Sequence, residues 1–310
     1  MKAMMFSGQG AQKTGMGKEF YENFDICRKT FDQASEALGL DMARLCFEDG
    51  EGLLNQTQYA QPALLTVGVS AFRLLEARVP DPGLLMGLSL GEYTALTAAG
   101  VFAFADALRL VHRRGQIMTE LGKPGSMIAC MGLDRPAVQE ICAQAGDEGT
   151  GFAAPANYNT PDQIVLAGEQ TALDFCAAKI KARGGKSIPL KVAGPFHTAL
   201  LAQAATQFKE EFASLVPTTG KAKYPVLSNL TGQEHNYEHL KDNLARHMVS
   251  PVLWVNCVEK AMDLGTTSFI ELGCGKTLVN FVKKIAGSGA DSFAIAIETL
   301  KDLEGFCERA

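Results

Sequence analysis

The chain lacks what a metal or disulfide scaffold, a membrane protein or a nucleic-acid binder would need. Its eight cysteines (27, 46, 130, 142, 176, 257, 274 and 307) form no C-x-x-C pair, and no adjacent histidine completes a zinc-ligand spacing. Cys142, Cys176 and Cys257 fall in apolar helical patterns, where a free thiol acts as a small hydrophobe. The expectation is therefore a reducing, cytoplasmic compartment and no metal. Net charge is −5, so no global positive field draws nucleic acid. Membrane spans are not expected either: the uncharged segment from Tyr93 to Ala105 has 13 residues and contains Gly100. The first residues, MKAMMFSGQG, are too briefly apolar for a signal peptide. With 310 residues, 47% hydrophobic and 20% charged, the chain can bury a sizeable core, as one large domain or a main domain with a smaller one.

What is present centres on Leu84 to Tyr93, LLMGLSLGEY. Leu84, Leu85 and Met86 read as the end of a buried strand, followed by G-x-S-x-G and a helix-forming segment. In that context a serine is held on a strained elbow with its hydroxyl exposed. Gly87 and Gly91 lack the Cβ atoms that would collide where strand and helix pack around the turn. The bare pattern is short, and its flanks make it more specific.

Ala3–Phe6 is a short strand ending in Ser7-Gly8-Gln9-Gly10-Ala11-Gln12, a loop able to present backbone N–H groups. Residues 15–38 carry Phe20, Phe24, Cys27 and Phe31 at helical steps, and Gln61–Val79 predicts a helix with Pro62 in its first turn. Ala103–Leu121 is a helix with Arg109, His112, Arg113 and Arg114 on its charged side. From Gly125 the texture becomes β-α-β-β-α-β, the order of a ferredoxin-like unit. We read 124–192 as a small domain inserted into a larger α/β one formed by 1–123 and 193–310. Pro225–Asn229 and Phe293–Ile297 are expected strands, and Ser250-Pro251 an expected cap-plus-Pro helix start.

A serine at neutral pH needs a neighbouring base. Of the five histidines, His112 lies on the charged helix, His235 and His239 lie in a polar stretch that reads as surface, and His247 precedes Ser250-Pro251. His197 sits at a strand-to-helix junction behind Gly194-Pro195, a setting like that of Ser89. It is the candidate base, against the alternative of a structural histidine. No acid between the two stands out as a third member, so a backbone carbonyl could orient the ring instead.

Several long segments, in order and over nearly the whole length, together resemble one family. They are FSGQGAQ (6–12), GLSLGEYTAL (87–96), RRGQIM (113–118), NYNTPDQIVLAG (157–168), GPFH (194–197), PVLSNLTG (225–232), SPVLW (250–254) and FIELGCGKTL (269–278). The family is that of malonyl-CoA:acyl-carrier-protein transacylases and the related acyltransferase domains of polyketide synthases. The resemblance implies an α/β-hydrolase-like core with a parallel sheet and an inserted ferredoxin-like subdomain. It implies Ser89 as nucleophile, His197 as base, a carbonyl at His247 orienting that base, and the main-chain N–H groups of Gln9 and Leu90 as oxyanion hole. Arg114 would hold the malonyl carboxylate, since a planar guanidinium matches a carboxylate with two parallel bonds. Met118 and Phe196 would line the acyl pocket, Phe196 in the malonyl-selecting pattern, and Asn157 would lie near the thioester or pantetheine end.

The chain departs from the family at two places: Leu88 stands where relatives carry His, and His247 where they carry Gln. The implied activity is malonyl transfer from malonyl-CoA to the phosphopantetheine thiol of acyl carrier protein, for fatty-acid elongation, with no cofactor beyond the coenzyme A thioester. Lys276, Lys283 and Lys284 are candidate docking residues for an acidic carrier, against a plain solvated helix face. Three alternatives stand beside this. One is a serine hydrolase releasing acyl groups to water, although relatives of that kind replace the carboxylate-binding arginine. The others are a trans-acting acyltransferase of a polyketide pathway and a non-enzymatic scaffold.

Overall fold

A computed structural model describes residues 1–79, 81–287 and 294–308. The first strand, Lys2–Phe6 (β1), is followed by helices Lys18–Asn23 (α1), Asp25–Leu38 (α2), Met42–Phe47 (α3) and Thr57–Glu76 (α4). Leu84–Gly87 (β2) then leads through the elbow into Leu90–Ala98 (α5) and Phe104–Glu120 (α6). Two late strands, Ser268–Leu272 (β7) and Ala294–Ile297 (β8), complete a parallel sheet of order β2-β1-β7-β8. Alternation along β1 sends Met4 and Phe6 into one apolar cluster and Ala3 and Met5 into another. Both faces of the sheet are thus covered, which is why its strands read as unbroken apolar runs.

Between these halves lie Ser126–Met131 (β3), Arg135–Asp147 (α7), Ala153–Thr160 (β4), Gln163–Gly168 (β5), Gln170–Ala182 (α8) and Lys186–Pro189 (β6). They form an antiparallel sheet of order β4-β5-β3-β6, the ferredoxin-like arrangement. Ile128 and Cys130 face α7 and α8, while Met127 and Ala129 face the main core. The remaining helices are Ala202–Leu215 (α9), Leu240–His247 (α10), Trp254–Asp263 (α11), Thr277–Ala286 (α12) and Leu300–Cys307 (α13). Among the described residues no helix is long and apolar enough to cross a membrane.

Local structure departs from the sequence expectations in instructive ways. The helix expected over 15–38 starts at Lys18 and breaks at Phe24, whose backbone is extended. Helix α4 starts at Thr57, so Pro62 lies inside it. Proline cannot donate to the carbonyl four residues back, that of Gln58. His112 on α6 supplies the missing donor, with Nδ1 2.8 Å from that carbonyl. Residues 225–229 form isolated bridges rather than a strand, with Leu85 N–H donating to Pro225 O at 2.9 Å and Leu227 N–H to Leu85 O at 3.1 Å. Ser250-Pro251 does not start a helix either. Val252 instead pairs with β4: its N–H donates to Ala156 O and its carbonyl accepts from Tyr158 N–H, each at 2.9 Å. The reason is sequence-distant, since β4 offers an unpaired edge that local propensity cannot foresee. Of the expected strand from Phe293, Ala294–Ile297 is observed and Phe293 lies outside the described residues.

Candidate active site

Ser89 has φ 52° and ψ −99°, a strained conformation for a non-glycine residue. The two glycines make it possible. A Cβ on Gly87 would lie 2.1 Å from the Gly91 carbonyl group, and one on Gly91 would lie 2.0 Å from Phe6 O. Asn229 straps the turn from outside: Ser89 N–H donates to its Oδ1 at 2.7 Å, and its Nδ2 donates to Gly87 O at 2.9 Å. The SGQG loop sits against the elbow so closely that a Cβ on Gly8 would meet Leu88 O at 2.5 Å. Leu88 itself is half-buried there and packs on the core cluster that holds Met86 and Trp254.

His197 also has a positive φ, 61°, which turns its ring back toward the elbow. Ser89 Oγ lies 2.7 Å from His197 Nε2, and His197 Nδ1 lies 2.9 Å from the His247 carbonyl. The carbonyl can only accept, so Nδ1 carries the hydrogen and Nε2 is left to accept from the serine. Burial first, then the His247 ring and the Arg114 guanidinium, holds the His197 pKa well below its ordinary value. The ring is neutral at neutral pH, as a base must be.

Arg114 is 1% exposed. Its Nη1 donates to Gln61 Oε1 at 2.8 Å, its Nη2 lies 3.4 Å from Ser89 Oγ, and the guanidinium stands 5.0 Å above the Tyr93 ring. Burial pushes the Tyr93 hydroxyl up to about 12, so no phenolate neutralises the arginine. Arg114 Nε has no hydrogen-bond partner, and no described carboxylate forms an ion pair with the guanidinium. Gly115 brings α6 onto α4: a Cβ there would lie 2.6 Å from Gln58 Cα. The Pro62–His112 bond and the missing Cβ together set where Arg114 emerges.

Gln9, Ser89, Leu90, Arg114, Met118, Asn157, Phe196 and His197 all line one cavity of about 260 Å³. His247 stands behind it and reaches the site through its carbonyl and its ring, which lies 4.7 Å from that of His197 at 34°. Met127 and Val165 of the inserted unit form the opposite wall, and Thr277, Leu278 and Phe281 of α12 another side. Met118 Sδ accepts from Gln61 Nε2 at 3.7 Å, and Gln9 Nε2 donates to Thr57 Oγ1 at 3.2 Å. Asn159, two residues beyond Asn157, also lines the cavity, with a buried and unpartnered Oδ1. Among the described residues no cluster of three His, Cys, Asp or Glu side chains could hold a metal ion.

Sequence reasoning passed over Gln61, Glu92, Asn159, Asn229 and His235. Glu92 is fully buried, with His235 Nε2 2.7 Å from Oε1 and His247 Nδ1 3.0 Å from Oε2. His235, expected at the surface, is 5% exposed: it alone turns inward to meet this carboxylate, while Gln233, Glu234, Asn236, Glu238 and His239 around it stay exposed. Burial opposes ionisation of Glu92, but the two imidazoles outweigh it and hold the pKa well below the usual carboxylate range. The one available signal was a lone acid inside the apolar run that follows the elbow.

Comparison with known proteins gives one consistent result. The acyl transferase domain family matches residues 4–310. A malonyl CoA-acyl carrier protein transacylase of Staphylococcus aureus is 38% identical over 99% of this chain and 98% of its own. The crystal structure of the Streptococcus pneumoniae enzyme superposes with TM-score 0.92 at 38% identity, covering 100% of both chains. A malonyl-transacylase in complex with its type II polyketide-synthase acyl-carrier protein superposes with TM-score 0.92 at 32% identity, over 100% of this chain and 99% of the other.

Proposed function

The chain belongs to the acyl transferase domain family, with the malonyl CoA-acyl carrier protein transacylases, and on that footing we propose that it moves malonyl from coenzyme A to an acyl carrier protein through a malonyl ester on Ser89. Ser89 attacks the thioester carbonyl while His197 Nε2 takes its proton. The oxyanion forms against the main-chain N–H groups of Gln9 and Leu90, and each such fixed donor is worth about 3–4 kcal/mol. Collapse expels coenzyme A, whose sulfur takes the proton back from His197. The carrier's phosphopantetheine thiol then gives its proton to His197 and attacks the ester, and the second collapse returns the proton to Ser89. Two covalent steps through one serine give ping-pong kinetics. The chemistry consists of acyl and proton transfers alone and calls for neither a metal nor a redox group.

The observation that carries this reading is Arg114, a buried guanidinium with no carboxylate of its own, 3.4 Å from Ser89 Oγ. A malonyl group is an acyl chain that ends in the missing carboxylate. Met118, Phe196 and Asn157 line the same cavity; on this reading the first two border the acyl group and Asn157 serves the thioester end. We take 124–192 as the inserted unit, the cytoplasm as the compartment and fatty-acid elongation as the pathway. Lys276, Lys283 and Lys284, on and beside the helix that forms one side of the cavity, are proposed to face the acidic carrier.

Mass spectrometry after mixing with malonyl-CoA is expected to show one malonyl adduct, absent in Ser89→Ala, that passes to added carrier protein. No adduct would refute acyl transfer, and loss of the label to water alone would indicate a hydrolase.

A further inference from the structure

Behind the base lies a second polar cluster whose side chains the transfer mechanism does not use: Glu92 on α5, His235 in the loop after residue 229, and His247 at the end of α10. All three are at most 5% exposed. The cluster is not isolated from the site. The His247 ring lies 4.7 Å from the His197 ring at 34°, so it covers one face of the base. The same residue's carbonyl holds His197 Nδ1. Glu92 Oε2 lies 3.0 Å from Nδ1 of the His247 ring, and turning the ring away would leave the buried carboxylate with only its contacts to His235 and Asn229. Asn229 N–H also donates to Glu92 Oε1 at 3.2 Å, which ties the cluster to the residue that straps the elbow.

We propose that His247 is a positioning residue for the acyl-transfer base: its ring, clamped from behind by Glu92, fixes the plane of His197 and biases that base to stay unprotonated. The proposal rests on the Ser89–His197 reading above. The physical ground is the placing of a buried imidazole between a buried carboxylate and the base. Glu92 Oε2 lies 3.0 Å from His247 Nδ1, so a positive charge on the His247 ring would be paired from behind and, beside His197, would oppose a second positive charge there.

The ionisable and charged groups around the two rings are few. His197 faces Ser89 from the elbow, Arg114 from α6 and His247 from α10, with Glu92 of α5 behind. Glu92 faces His235, His247 and the Cys257 thiol of α11, which burial keeps protonated. Tyr237 stacks on His235 with ring centres 6.1 Å apart, and burial pushes its hydroxyl up to about 12.

The test is His247→Gln, which keeps the main-chain carbonyl and a hydrogen-bonding side chain but cannot carry the charge. The titration of His197 is followed by NMR in the substrate-free protein, alongside the pH profile of kcat/KM for malonyl transfer. The expected result is that the His197 midpoint and the acid limb of the profile both rise by about one pH unit or more. His235→Gln, which alters the cluster without touching His197, should move them less. An unchanged His197 midpoint in His247→Gln would overturn the proposal, and so would equal shifts in the two variants, since contact with the base would then be irrelevant. The NMR titration needs no substrate, so a failure of the malonyl reading would leave it interpretable.

Discussion

Glu92 and Arg114 are the two most deeply buried charges near the elbow, one on the helix it launches and one on the next. Glu92 is met by two imidazoles and a main-chain N–H, all from the chain itself. Arg114 is met by an amide oxygen, a hydroxyl and the face of an aromatic ring, none of them anionic. Both arrangements require ions to leave water, but only the first is compensated within the protein. The difference separates structure from recognition: a compensated buried ion holds the fold, and an uncompensated one marks where a ligand's charge belongs.

The largest effect should come from removing the compensated ion. Glu92→Gln is expected to lower stability by about 3–5 kcal/mol at neutral pH, read by urea denaturation, because two imidazoles lose their carboxylate in a dry site. The sign with pH follows from the folded pKa lying below the unfolded one. The stability due to Glu92 is complete above the ordinary carboxylate pKa and is lost as pH falls through the folded value. The variant should therefore show a flatter acid limb than the parent. Equal stability of the two proteins at pH 7 would break the comparison.

Next comes the uncompensated ion. Arg114→Met should leave the melting temperature unchanged or higher, since it removes a buried charge that no described carboxylate compensates. It should lower kcat/KM for malonyl-CoA on the order of 10²–10³-fold. Steady-state kinetics with malonyl-CoA and acetyl-CoA would read the preference moving toward acetyl. A constant ratio between the two substrates would remove Arg114 from its assigned role.

The smallest effect concerns the other buried carboxyl, that of Glu271. Glu271 Oε2 accepts from Val279 N–H at 2.9 Å near the start of α12, and burial pushes its pKa up to about 7. Its folded pKa exceeds the unfolded one, so its favourable contribution is complete below the ordinary carboxylate pKa and is lost as pH rises from there through about 7. Glu271→Gln keeps the acceptor and should raise the melting temperature by about 2 °C or more at pH 8, with little change at pH 5. A gain of the same size at both values would mean that packing, and not charge, is responsible.

Local patterns carried much of this in the sequence. Gly87, Ser89 and Gly91 announced the elbow, and β-α-β-β-α-β order announced the inserted unit, because each depends on neighbours within a few residues. The resemblance added Arg114, Gln9 and Leu90, which no spacing argument reached. What stayed hidden depends on contacts across the chain. His235 reads as surface because the Glu92 that draws it inward is 143 positions away (235 − 92). Pro62 reads as a helix start because its compensating partner, His112, is on another helix. Ser250-Pro251 reads as a cap because nothing nearby reveals that Val252 will join β4.

That last pairing ties the two layers together mechanically. Val252 bonds both Ala156 and Tyr158 of the inserted unit, and it lies five residues after His247, whose carbonyl aims the base. Asn157, between the two bonded residues, faces the cavity. The cavity wall at β4 and the aim of the base thus share one stretch of backbone, Val252 back to His247, so the inserted unit braces the catalytic histidine as well as bordering the cavity.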